Sequence, residues 1–201
     1  MKKPSFAFET KKRTGGNELP PKGAYVAEIQ AVRYLSKEKD NVPRDRLELF
    51  MDVAEGEYAG RFRQVYDDQK ERFGDNVTYR GIFRMSLPVE GEENYDSILN
   101  SLQSNLWCVE QSNPGYHWAW DEKTLKGKKV GISLRKRFYT YNGKDRETVE
   151  IARLETIDDV RNGKCRPAKD RDQREKKDDT AEDSTDGSNF TDVSGEVKVP
   201  W

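Results

Sequence analysis

The sequence predicts a mainly β chain, a five-stranded barrel with one long helix between its third and fourth strands, followed by a disordered acidic tail. Three observations carry that expectation. Apolar residues alternate with polar ones in several separate stretches, recur at three- and four-residue steps in one stretch only, and are scarce from residue 166 until Phe190. With 201 residues and 33% apolar content the chain has material for one core.

The elements follow in chain order. Residues 1–19 are polar and carry Gly15 and Gly16, so they read as a flexible arm. Pro20, Pro21 and Gly23 lead into a first strand over 24–35, where Tyr25, Ala27, Ile29 and Ala31 alternate with Val26, Glu28 and Gln30. After a charged turn over 37–45, residues 46–53 alternate again. Leu47, Leu49, Met51 and Val53 share one face, and Arg46, Glu48, Phe50 and Asp52 share the other. A third strand is expected over 60–67, with Phe62 and Tyr66 opposed to Arg61 and Arg63. Residues 78–87 read as an extra hairpin strand that the pattern does not place.

Tyr95, Ile98, Leu99, Leu102, Leu106 and Val109 form one apolar stripe, which predicts a helix over 95–111 with Asn94 as N-cap. Asn113, Pro114 and Gly115 should end it, because they tolerate a left-handed backbone or lack a backbone donor. The fourth strand is expected over 125–138, with Val130, Ile132 and Leu134 facing one way and Ser133, Arg135 and Arg137 the other. Asn142-Gly143 suits a tight type I′ turn, and 146–154 returns as the fifth strand. A short helix over 156–162 is capped by Thr156 and ended by Gly163. Residues 167–201 cannot bury enough apolar surface to offset their own ordering and are expected to be disordered. Three strands, a helix and a two-strand hairpin is the element order of an OB-fold, here over 20–166.

Charge is divided unevenly. Residues 178–201 hold seven acidic residues against Lys198 alone, leaving 35 basic and 30 acidic residues to the rest, so the body is about plus five and the tail about minus six. A basic body with an acidic arm suits a polyanion partner, and a solubilising tail on an ordinary domain fits the same numbers. No apolar run suggests a signal peptide or membrane span, so a cytoplasmic protein with no membrane partner is expected. Cys108 and Cys165 lack a CxxC spacing and read as reduced thiols.

The residue inventory argues against an enzyme. His117 is the one histidine, so histidine triads and multi-imidazole zinc sites are excluded. Phosphate-cradling glycine motifs are absent, and adjacent pairs such as Asp67 with Asp68, or Asp158 with Asp159, are expected by chance among 37 acidic residues. No cofactor and no metal are expected.

Single-strand binding needs cations for phosphates and exposed rings for bases. The candidates are Phe50, Arg61, Arg63 and Tyr66 on the second and third strands, with Arg135, Lys136, Arg137, Phe138, Tyr139 and Tyr141 in the last hairpin. Each ring taken singly fits core or hairpin-edge packing as well as stacking; the interleaving of cations with rings favours a DNA-binding finger. Trp107, Trp118 and Trp120 are assigned to core or lid. At the end of the acidic tail, Val199, Pro200 and Trp201 place a ring beside a terminal carboxylate, a combination that a pocket with a basic rim can capture.

The stretches Pro21-Lys22-Gly23-Ala24-Tyr25, Glu55 to Gly60, Ser112 to Tyr116, Leu125 to Gly131 and Ile157 to Lys164 resemble a family of small phage and prophage proteins of unknown function. Genes of that family commonly lie among phage replication and recombination genes. The tail is similar to the C-terminal motif of bacterial single-stranded DNA-binding proteins, with Trp201 in place of Phe and Lys198 interrupting the acids. Together these imply a non-catalytic single-stranded DNA-binding protein that recruits replication or recombination proteins through its tip. A homo-oligomer is compatible with the sequence, as is a DNA-independent adaptor within such a complex.

Overall fold

The computed structural model describes residues 18–36, 38–39, 42–43 and 45–174, with the backbone alone at 38, 39, 42 and 43. The expected arm over 1–17 and the expected disorder over 175–201 lie outside the described residues.

The chain is mainly β. Strands β1 (Gly23–Leu35), β2 (Glu38–Lys39), β3 (Val42–Pro43), β4 (Arg46–Val53), β5 (Ile82–Ser86), β6 (Lys129–Tyr141), β7 (Lys144–Glu155) and β8 (Arg171–Gln173) are joined by helices α1 (Arg61–Phe73), α2 (Tyr95–Ser112) and α3 (Ile157–Arg161). Strands β2 and β3 form a two-residue ladder in the β1–β4 connection. The others make one sheet in the order β5-β4-β1-β6-β7, with β8 added to β6. The expected five-stranded barrel is not formed: β5 and β7 approach each other without pairing, so an open six-stranded sheet takes its place.

Alternation fixes the two faces of the sheet. The core face carries Ala27 and Ile29 of β1, Leu47, Leu49, Met51 and Val53 of β4, and Val130, Ile132 and Leu134 of β6, all buried. Against it α2 lays Leu102, Leu106 and Val109, the stripe its periodicity predicts. Asn94 stands at the helix start but makes no side-chain cap. At the other end Asn113 Nδ2 donates to the carbonyls of Val109 and Lys129, both at 2.7 Å, tying the end of α2 to the start of β6.

Residues 61–73 overturn one expectation, since they form helix α1 and not a third strand. Phe62 and Tyr66 fit a two-residue period over six residues, whereas Phe62, Val65 and Tyr66 together fit a helical one, and the Gln, Lys, Glu and Arg that follow favour the helix. The deciding contact is tertiary. Gly60 precedes the helix and offers no side chain, and Asp52 of β4 supplies the cap instead, accepting from Phe62 N at 3.0 Å and Arg63 N at 2.9 Å. Helix α1 thereby covers the outer face of β4, so Leu47 to Val53 are buried on both sides. The third strand is β5, within the excursion that the pattern leaves unplaced.

Three further boundaries move. Leu125, expected to begin the fourth strand, is buried in a 3₁₀ turn over Glu122–Leu125. Leu19, assigned to the arm, packs on the core. Residues 171–173, assigned to the tail, form β8, parallel to Arg137–Tyr139 of β6. The short helix α3 has its expected cap, with Asp159 N donating to Thr156 Oγ1 at 3.1 Å.

Two substitutions test how β4 holds its neighbours. A Cβ on Gly81 would lie 2.1 Å from the Met51 carbonyl oxygen and 2.9 Å from Tyr79 Cε1, so Gly81→Ala is expected to cost about 3 kcal/mol in urea denaturation. Asp52→Ala leaves the α1 start without its acceptor and should cost about 2 kcal/mol in the same measurement, with helical signal lost before the sheet unfolds. Wild-type stability in either variant would refute the role given to that residue.

Candidate nucleic-acid interface

Strand β1 starts at Gly23, opposite Leu134, whereas β6 runs on to Tyr141. The far half of the β6–β7 hairpin therefore projects beyond β1. Beside it, β8 occupies the edge that β1 leaves open. The junction is held by Asp170, which meets Lys22 Nζ at 2.8 Å and accepts from Lys136 N at 3.1 Å. The turn is the expected one, with positive φ at both Asn142 (50°) and Gly143 (67°).

The same alternation sorts the hairpin. Arg135, Arg137, Tyr139 and Tyr141 lie on the outer face, opposite Glu150, Thr148, Arg146 and Lys144 of β7 in turn. Glu150 gathers the arginines: its Oε1 lies 2.7 Å from Arg135 and 3.9 Å from Arg171 of β8, and its Oε2 lies 3.8 Å from Arg137. One carboxylate among three guanidiniums leaves the face positive, and Lys144 and Arg146 add to it. Arg137 also lies over the Tyr139 ring at 5.5 Å, and Tyr141 is 61% exposed. Such a face can hold phosphate oxygens on guanidinium forks and offer a ring to a base.

Other candidates fall elsewhere. Lys136 and Phe138 lie on the opposite face of the hairpin, Lys136 paired with Glu147 at 2.7 Å and Phe138 under the Arg174 guanidinium at 5.3 Å. Phe50 is fully buried beneath α1, packed on Tyr79, so it offers no ring to a base. The alternation that puts Phe50 among polar neighbours is right, but α1 and the Arg33 side chain cover that face. Arg61, Arg63 and Tyr66 belong to α1 and not to a strand; Arg63 pairs with Asp67 at 2.9 Å, and Tyr66 meets the Tyr79 ring edge-on. The structure thus assembles the hairpin group and separates the α1 group from it. Of the tryptophans, Trp118 is buried, and Trp107 and Trp120 are exposed. Val199, Pro200 and Trp201 lie outside the described residues.

A second arginine cluster lies beyond the sequence candidates. Glu48, buried on the outer face of β4, receives Arg33 of β1, Arg46 of β4 at 3.0 Å and Arg84 of β5 at 3.0 Å. Burial pushes its carboxyl up, and hydrogen bonds from Arg33 and Arg84 outweigh that, holding it below the ordinary carboxylate range. Its only trace in the sequence is a set of charged residues on an alternating strand.

Burial pushes the Cys108 thiol up to about 11 and raises Cys165 as well, so neither supplies a thiolate at neutral pH. Among the described residues no group of three His, Cys, Asp or Glu is placed to hold a metal, and no helix is long and apolar enough to cross a membrane.

No protein-family model matches the sequence, and no curated protein matches it, so the turn motifs that resemble the phage family have no counterpart there. Among solved structures the chain is similar to one described as yeast RPA bound to ssDNA, with 10% sequence identity and a TM-score of 0.25, over 73% of this chain and 83% of that one. A likeness that slight carries no argument about fold or function.

Proposed function

We propose that this chain is a non-catalytic single-stranded DNA-binding protein of phage replication or recombination, and that the outer face of the β6–β7 hairpin is its contact surface. The observation that supports this reading is the convergence of Arg135, Arg137 and Arg171 on Glu150, beside Tyr139 and Tyr141. Fixed guanidiniums take backbone phosphates at little further cost in side-chain entropy, and the exposed Tyr141 ring takes a base. Neither contact reads base edges, so binding tolerates any sequence. The acidic tail competes with DNA for the basic body, and its tip, Val199-Pro200-Trp201, recruits replication or recombination proteins.

The test is titration with oligo-dT, followed by tryptophan quenching over a range of salt. Binding should weaken at high salt with a log-log slope of about −0.7 for each phosphate contact, and Arg137→Gln should reduce that slope by about one contact. Tyr141→Ala should weaken binding roughly 5- to 150-fold with the slope unchanged, because stacking releases no counterion. Salt-insensitive or absent binding would favour a DNA-independent adaptor.

Removal of residues 178–201 tests the tail separately. The truncated chain should bind oligo-dT more tightly and no longer capture host replication proteins. Unchanged affinity together with unchanged capture would remove the tail from the proposal.

A further inference from the structure

Glu48 is 1% exposed, and it lies where β1, β4 and β5 run side by side. One buried carboxylate needs one counter-charge. Arg33, Arg46 and Arg84 all converge on it, so the arginines that pair with Glu48 outnumber it. Three guanidiniums repel one another and would spread into solvent if nothing held them. Glu48 holds all three, from three different strands, with the Arg33 and Arg84 side chains still 28% and 46% exposed. The cost of fixing long side chains is met before any ligand arrives, as in a preformed anion clamp.

The Glu150 cluster repeats this arrangement. Both carboxylates carry three arginines, and both lie on the outer face of the same sheet. That correspondence follows from register, since Arg33 faces Glu48, and Ala24 and Val26 share their face with Ser133 and Gly131, which alternate on to Arg135. Strand β1 links the two. Gly23 pairs beside Arg135, and Arg33 lies ten residues further along, a span of about 30 Å at 3.3 Å per residue.

We infer that the Glu48 cluster is a second contact site for backbone phosphates of single-stranded DNA, occupied together with the hairpin when the strand is long enough to reach both. The inference rests on reading the hairpin as a DNA-binding surface. A short oligonucleotide engages one cluster at a time. A long one engages both, and the second contact forms at a high effective concentration, so affinity rises with length by more than the number of registers explains.

The experiment compares oligo-dT of about 3 and about 30 nucleotides, lengths either side of the usual single-domain site size. The full chain and two variants, Arg84→Gln and Arg137→Gln, are titrated by fluorescence anisotropy over a range of salt. Arg84→Gln leaves Arg33 and Arg46 on Glu48, so the buried carboxylate stays paired. Thermal melting checks the fold, and the arginine Nε–H signals of Arg33, Arg46 and Arg84 are followed by NMR in the wild-type chain, which keeps the test valid should the variant melt.

Arg84→Gln is expected to weaken the long oligonucleotide roughly 3- to 10-fold, to reduce its salt slope by about 0.7, and to remove most of the length advantage. The three Nε–H signals should shift on addition of the long strand. Unmoved signals with an unchanged slope would overturn the inference, and the hairpin reading would survive if Arg137→Gln still weakened binding. Loss of effect in Arg137→Gln as well would count against the hairpin itself. Shifts caused by a peptide of residues 178–196 and not by DNA would overturn the inference in favour of a protein ligand.

Discussion

The burial of two carboxylates on the outer face of β4 sets most of what surrounds it. A carboxylate taken from water has to be paired or neutralised. Asp52 is satisfied by backbone N–H groups, and the nearest supply of unpaired ones is a helix start, so α1 is drawn onto the strand. Glu48 is satisfied by side chains, and its arginines come from three adjacent strands. The same strand turns leucine, methionine and valine to the core. One eight-residue strand thus turns one face to the core, seats α1 on the other, and gathers three arginines around Glu48.

Much of this organisation is legible in the residues, and the reason differs from element to element. The far half of the hairpin is legible, because Asn142-Gly143 fixes both turn type and the register next to it. Counting back from Tyr141 opposite Lys144 places Arg137 opposite Thr148 and Arg135 opposite Glu150, so the arginine–glutamate pairing follows from the order of the residues alone. Helix α2 is legible because its stripe persists along its length. Residues 61–66 are ambiguous, since six residues satisfy both periods, and the cap that decides between them comes from Asp52, on the strand before the helix. Burial of Phe50 is hidden for the same reason, since it depends on α1. Nothing in Arg171–Gln173 announces a strand; it is ordered by pairing with β6 and by Asp170, not by its own apolar surface.

The open sheet follows from unequal lengths. Strand β5 has five residues and β7 has twelve, and β7 spends its far half on the hairpin with β6. A barrel would need β5 to pair along β7 near its core end, where α2 already packs against both strands. Leaving that seam unpaired costs a few backbone hydrogen bonds, but it frees the hairpin to extend beyond the core. Extension is what gives the hairpin two solvent-facing sides.

Those two sides are not equivalent in charge. The face with Lys136 and Phe138 is neutralised locally: Lys136 meets Glu147, and Phe138 lies under Arg174, itself paired with Asp172. The face with Arg135, Arg137 and Arg171 shares one acid among three arginines. A polyanion gains from displacing counterions where fixed cations outnumber fixed anions, and gains little where each cation already has its own partner. The excess of arginine over acid therefore marks the outer face, and not the face with Lys136 and Phe138, as the cationic side of the hairpin.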